Sequence, residues 1–115
     1  ILNYSSPVAY RGRPNTGAYT TIKAGIAGLT KVLAGELGPR GVRVNAVAPT
    51  VIETDLVKNV LKEIPEMERT WKEMTPMGRF GRPDEIASVV LFLACDASSL
   101  MTGAVVSADG GYTCW

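Results

Sequence analysis

Three side chains have the types and spacing to share one reaction: Ser6, Tyr19 and Lys23. Tyr19 and Lys23 stand four residues apart near the start of a segment of helical pattern. They therefore lie one above the other on one face, about 6 Å apart along the axis. An ammonium held beside a phenol favours the phenolate, which suits Tyr19 to pass a proton to or from a hydroxyl or carbonyl oxygen. A serine hydroxyl at a strand end, facing the same spot, would hydrogen-bond that oxygen and hold it in position. Each piece also has an ordinary reading. A Tyr and a Lys four apart on a helix are commonly a surface pair, and a serine at a strand end commonly shapes a turn.

The composition narrows the alternatives. There is no histidine, which excludes a Ser-His-Asp or Cys-His nucleophile, a His-based metal centre and a His pH switch within the chain. Two cysteines, Cys95 and Cys114, are too few for a disulfide framework and too far apart for a metal knuckle, so no metal is expected. A reduced, cytoplasmic setting is the default for such a chain. Of the 115 residues, 46% are hydrophobic and 20% charged, the balance of a globular chain rather than a disordered one. The 12 basic and 11 acidic residues are dispersed and leave no footprint for nucleic acid. No apolar run approaches the roughly 20 residues that a membrane span needs.

The elements that must position the three side chains follow from pattern and punctuation. Ile1 to Tyr4 reads as the tail of a buried strand, and Pro7 to Gly17 as a loop in which Arg11 and Arg13 are solvated charges. Thr16 is the expected N-cap of a long helix from Gly17 to Leu37, which Gly38-Pro39 ends. Arg43 to Ala48 is a second strand closed by Pro49. Asp55 to Lys62 reads as a helix, and Pro65 to Met77 as a short helix within a long mobile excursion. Arg82-Pro83-Asp84-Glu85 opens a further helix through Ala94. It carries Ile86, Val89, Val90 and Leu93 on one face, and Leu91 and Phe92 extend its apolar surface, so burial on more than one side is expected. Ala104 to Ala108 is a third strand, and Asp109-Gly110-Gly111 turns out of it. Strands joined by helical crossovers imply an α/β fold with a parallel sheet. Three parallel strands need both faces covered and their edges protected, so the chain reads as the C-terminal half of a larger domain.

The order Asn3-Tyr4-Ser5-Ser6, Tyr19-Thr20-Thr21-Ile22-Lys23-Ala24-Gly25, Arg43-Val44-Asn45-Ala46-Val47-Ala48-Pro49 and Asp109-Gly110-Gly111 closely resembles the short-chain dehydrogenase/reductase family. Leu29-Thr30-Lys31 and Pro83-Asp84-Glu85-Ile86-Ala87 fall between these in the same register, and the resemblance covers essentially the whole chain. It implies the C-terminal half of a doubly wound, Rossmann-like sheet with helices on both faces. It also implies an oxidoreductase that interconverts a secondary alcohol and a ketone with NAD or NADP. Tyr19 matches the family's acid/base. Lys23 matches the lysine that holds the nicotinamide ribose and tunes the tyrosine, and Ser6, not Ser5, matches the substrate-orienting serine. Pro49, Thr50, Ile52 and Thr54 match the loop after the family's sixth strand, where the Ile52 backbone and the Thr54 hydroxyl would contact the nicotinamide carboxamide and a nearby phosphate. Thr50 replaces the family's usual glycine, and Ile22 stands where a serine commonly precedes the lysine.

The family's glycine-rich turn, upstream catalytic Asn and NAD-versus-NADP residue precede the segment this chain matches, so the isolated chain is expected not to turn over. Gly25, Gly28 and Gly35, with Ala24 and Ala27, form a smooth helix face, and the resemblance implies a homodimer or homotetramer through helices 17–37 and 83–94. Residues 56–77, with Met67, Trp71, Met74 and Met77, sit at the family's variable substrate lid. The ending Gly110-Gly111-Tyr112-Thr113-Cys114-Trp115 resembles some sugar and polyol reductases. A 3-oxoacyl thioester reductase is the rival, and a non-catalytic half-domain that only pairs with a partner is the reading from another class.

Overall fold

The computed structural model describes residues 1–114; the last residue of the sugar-reductase-like ending, Trp115, lies outside them. The strands are β1 (Leu2–Tyr4), β2 (Asn45–Pro49) and β3 (Val105–Ala108). The helices are α1 (Gly17–Leu37), α2 (Asp55–Glu63), α3 (Glu66–Glu73) and α4 (Pro83–Ala94). The sheet runs β1-β2-β3 and is parallel throughout, with Asn3 opposite Ala46 and Val47 opposite Val106.

β2 is the centre of the molecule. Val44 to Ala48 are buried essentially completely although their side chains alternate between the faces, so both faces are covered. α1 packs on the sheet through Ala27, Thr30 and Ala34, and α4 packs on it through Ile86 and Leu93. The fully buried Thr30 hydroxyl donates to the Ile26 carbonyl and accepts from Asn3 Nδ2, fastening α1 to β1. On the other side Arg43 donates to the carbonyls of Leu93, Cys95 and Met101 and to the Ser98 hydroxyl. A cation thus closes the C-terminal end of α4, where carbonyls lack helical partners. Asn45 is buried and bonds Met101 O and Ala104 N through its two amide atoms, which sets the entry into β3. Both connections step sideways in the same direction, yet their helices lie on opposite faces. The two crossovers are therefore of opposite hand, a departure from the usual right-handed rule.

Several local expectations need correction. Thr16 precedes α1 but its hydroxyl donates back to Arg13 O and meets Thr20 Oγ1, so it caps no helical N–H. Gly38 stays right-handed and the helix tightens into a 3₁₀ turn over Gly38–Arg40, with the left-handed exit at Gly41. α4 is not buried on more than one side, because only its Ile86–Leu93 face meets the sheet; Leu91 is 68% exposed and Phe92 43%. Ala27 belongs to the sheet-facing side of α1, whereas Gly25, Gly28 and Gly35 share the outer side with exposed Ile22, Leu29 and Val32.

Candidate active site

The end of β1 separates two adjacent serines by function. Ser5 continues the ladder through its N–H to Val47 O, and its buried hydroxyl donates to Lys23 O, tying the strand to α1. Ser6 points the other way, as strand alternation requires. Its hydroxyl makes no hydrogen bond among the described residues and lines a cavity of about 410 Å³. Pro7 follows at once and starts a 3₁₀ turn, and Pro7 and Val8 line the same cavity. Tyr19, in the first turn of α1 and half-exposed, lines the same cavity. Lys23 Nζ lies 5.6 Å from the centre of the Tyr19 ring and donates to Tyr4 O at 2.9 Å. The ammonium is thus fixed beside the phenol by the strand end, and the three residues come together as their spacing predicts.

The loop after β2 forms the facing wall, and Pro49, Thr50, Ile52 and Thr54 all line it. Its conformation is held by a bridge to residue 81: Glu53 N donates to Gly81 O and Gly81 N to Val51 O. A Cβ at Gly81 would fall 2.6 Å from Ile52 Cδ1, so only glycine permits this approach without displacing Ile52. The Ile52 N–H takes no part in the bridge or in any hydrogen bond among the described residues. Thr54 caps α2 by accepting from Val57 N, a role that uses a lone pair and leaves its O–H free to donate. Among the described non-glycine residues only Asn15 has a positive φ, so Thr50 carries its side chain without backbone strain.

Leu56 and Val57 of α2 and Trp71 and Met74 at the end of α3 close a third side. Trp71 stands edge-on to buried Phe80 at 6.3 Å. Of the methionines assigned to the lid, Met74 lines this cavity, Met77 lines another and Met67 lines neither.

Two lining residues escaped sequence reasoning. Arg13 is no simple solvated charge: it lines the cavity, and its guanidinium has no carboxylate or hydrogen-bond partner among the described residues. Tyr112 lines it too, 5% exposed, with its buried hydroxyl unpartnered. Arg11, also read as solvated, donates to Tyr112 O at 2.7 Å and lies 5.1 Å from the centre of its ring. Tyr112 is delivered by the turn after β3. There the buried Asp109 carboxylate accepts from Gly111 N, Thr113 N and the Thr113 hydroxyl. Gly110 and Gly111 take positive φ and pass so close to Thr75 and Pro76 that any Cβ would collide. An Asp followed by two glycines and then a threonine four positions on is the signal for that turn; what it carries was not legible.

A second cavity, about 600 Å³, lies on the α4 side of Thr50. Here Arg79 grips the Glu85 carboxylate with both guanidinium nitrogens at 2.7 and 2.9 Å, and Arg82 N adds a third bond. The Arg79 hydrogen bonds, helped by the Arg82 N–H, hold the Glu85 carboxyl down to about 2. No group of three potential metal ligands occurs among the described residues, and no helix among them is long and apolar enough to cross a membrane.

Residues 1–113 match the family described as Enoyl-(Acyl carrier protein) reductase. The chain is 50% identical to the 3-oxoacyl-[acyl-carrier-protein] reductase of Aquifex aeolicus, over 96% of this chain and 44% of that protein. It is likewise 50% identical to the galactitol 2-dehydrogenase of Rhizobium johnstonii, over 96% of this chain and 42% of the relative. The structure of a putative 2-deoxy-D-gluconate 3-dehydrogenase from Agrobacterium tumefaciens with bound NADP superposes with a TM-score of 0.92 at 35% identity, covering all of this chain and 46% of that one. The chain therefore spans less than half the length of each of these proteins.

Proposed function

This chain belongs to the short-chain dehydrogenase/reductase family, and on that premise we propose that the whole protein interconverts a secondary alcohol and a ketone with NAD or NADP. The observation that carries the reading is the pairing of Ser6 and Tyr19 on one cavity wall, both hydroxyls unengaged, with Lys23 anchored beside the Tyr19 ring. Tyr19 moves the proton at the substrate oxygen, and Ser6 hydrogen-bonds that oxygen so that the reacting carbon is held in place.

The residues present fit a nicotinamide cofactor. Lys23 gives one N–H to Tyr4 O and keeps two for ribose hydroxyls. The unpaired Ile52 N–H suits the carboxamide oxygen, and the Thr54 O–H suits a neighbouring phosphate. The Lys23 ammonium lies at the C-terminal end of β1, and Ile52 and Thr54 lie in the loop that follows β2, the side on which ligands of open α/β sheets bind. When bound, the cofactor supplies or accepts the hydride.

A small sugar or polyol is the substrate class that the galactitol 2-dehydrogenase relative and the sequence ending Gly110-Gly111-Tyr112-Thr113-Cys114-Trp115 favour. The apolar residues left exposed on α1 and α4, among them Ile22, Leu29, Val32 and Leu91, are the surfaces for a homodimer or homotetramer. Two free, exposed thiols, Cys95 and Cys114, suit a reducing cytoplasm. The test is an assay of the whole protein with sorbose, fructose and an acetoacetyl thioester, each with NADH and NADPH. Turnover of a ketose is expected; turnover of the thioester alone moves the substrate to the 3-oxoacyl class.

A further inference from the structure

We propose that Arg13 makes this cavity selective for an anionic substrate, a small hydroxy or oxo acid whose carboxylate is bound by the guanidinium while Tyr19 and Ser6 handle the reacting carbon. The inference rests on the oxidoreductase reading and narrows its sugar and polyol class to the sugar acids, with neutral ketoses and hexitols turned over more slowly. Among the described residues that line the cavity Arg13 is the only charged one, and none is Asp or Glu. The rest of the wall is neutral hydroxyls and apolar side chains such as Val8, Val51, Leu56 and Trp71. Each of the other arginines that line a cavity or border this one is occupied: Arg11 on Tyr112, Arg79 on Glu85 and Arg43 on the end of α4. A half-buried guanidinium facing an apolar-walled space with no counter-ion presents its donors in a planar fork, the geometry that carboxylates match in two parallel hydrogen bonds.

Tyr112 provides an independent observation on the same wall. Its hydroxyl is buried with no hydrogen-bond partner, a condition that costs free energy unless a ligand supplies one. The Asp109 turn and Arg11 hold the residue rigidly, so the unpaired phenol is a fixed feature of the cavity rather than a loose side chain. Arg13 offers its donors at a part of the wall not formed by the nicotinamide loop, beside the rigid Tyr112. A molecule with a hydroxyl or carbonyl at one end and a carboxylate at the other satisfies both ends of the site.

The test measures kcat and KM of the whole protein for a hexonate and for the hexitol of the same chain length, in wild type, Arg13→Gln, Arg13→Lys and Tyr19→Phe. Arg13→Gln is expected to lower kcat/KM for the hexonate roughly ten- to hundredfold, mainly through KM, and to change the hexitol less than about threefold. Arg13→Lys, which keeps the charge without the fork, recovers part of the loss. Equal effects on both substrates, no effect on either, or a loss confined to the KM of the nicotinamide cofactor would each overturn the proposal. Tyr19→Phe reports separately on the underlying reading, because it should abolish turnover of both. Titration of the hexonate against tryptophan fluorescence, with Trp71 in the cavity wall, adds a readout that needs no turnover: binding weakened in Arg13→Gln supports the assignment, and no binding to wild type sinks it.

Discussion

The two cavities meet at Thr50 yet differ in how their polar groups are used. On the α4 side Glu85 takes three hydrogen bonds, Arg79 forks onto it and Asp109 accepts three more. On the α1 side the hydroxyls of Ser6, Tyr19 and Tyr112, the Arg13 guanidinium and the Ile52 N–H have no hydrogen-bond partner among the described residues. Groups that hold a fold together saturate one another, because an unpaired buried donor or acceptor is costly. Groups left unsaturated on a cavity wall are stabilised by what enters. The contrast singles out the α1-side cavity as the candidate site without any reference to motif.

Substitutions on the two sides should therefore fail in different ways. The largest effect is expected from Tyr19→Phe, with a loss of about 10²–10⁴ in kcat for the whole protein and an unchanged circular dichroism spectrum. A loss of only a few-fold would remove Tyr19 from the proton transfer. The adjacent serines give a finer discrimination. Ser6→Ala should lower kcat/KM by on the order of 10² at unaltered stability. Ser5→Ala breaks the bond to Lys23 O and should cost about 1 kcal/mol in urea unfolding, leaving kcat within a few-fold. Activity loss from Ser5 and none from Ser6 would reverse the assignment of the two sides.

The smallest expected effect is on the saturated side. Glu85 is held by Arg79 to about 2, below its ordinary value of 4.5. A carboxyl lowered in the folded state contributes stability that is complete above the ordinary carboxylate range and is lost as pH falls from there toward 2. The difference in thermal midpoint between wild type and Glu85→Gln should be constant from pH 7 to 5 and shrink below it. Because the pair is exposed, solvent screens it and the difference should be small at any pH.

The sequence made some of this architecture readable and hid the rest, according to how local the cause was. Tyr19 and Lys23 are four residues apart on one helix, so their proximity is a property of helical geometry alone, and Pro83 with Glu85 announces the start of α4 in the same local way. In the sequence only the family resemblance tells Ser6 from Ser5; strand alternation then sends the two hydroxyls to opposite sides. Arg11 and Tyr112 meet across nearly the whole length of the chain, and Arg13 shares a cavity with Tyr112, through a turn after β3 that no periodicity describes. The exposure of Leu91 and Phe92 was hidden for another reason: an apolar residue declares a tendency to be covered but not by what.

The opposite hands of the two crossovers carry a kinetic consequence. β2 serves as the common strand of two βαβ units, one closed from Asn3 to Ala46 and the other from Val47 to Val106, each wrapping a different face. Neither unit must pass through the other, so they can assemble in sequence on one template. The first closure spans fewer residues and uses a single continuous helix, and chain-closure entropy rises with the separation of the joined ends. β3 is therefore expected to dock late. Mutations in β3 would then chiefly accelerate unfolding, while those in β1, α1 and β2 would slow refolding.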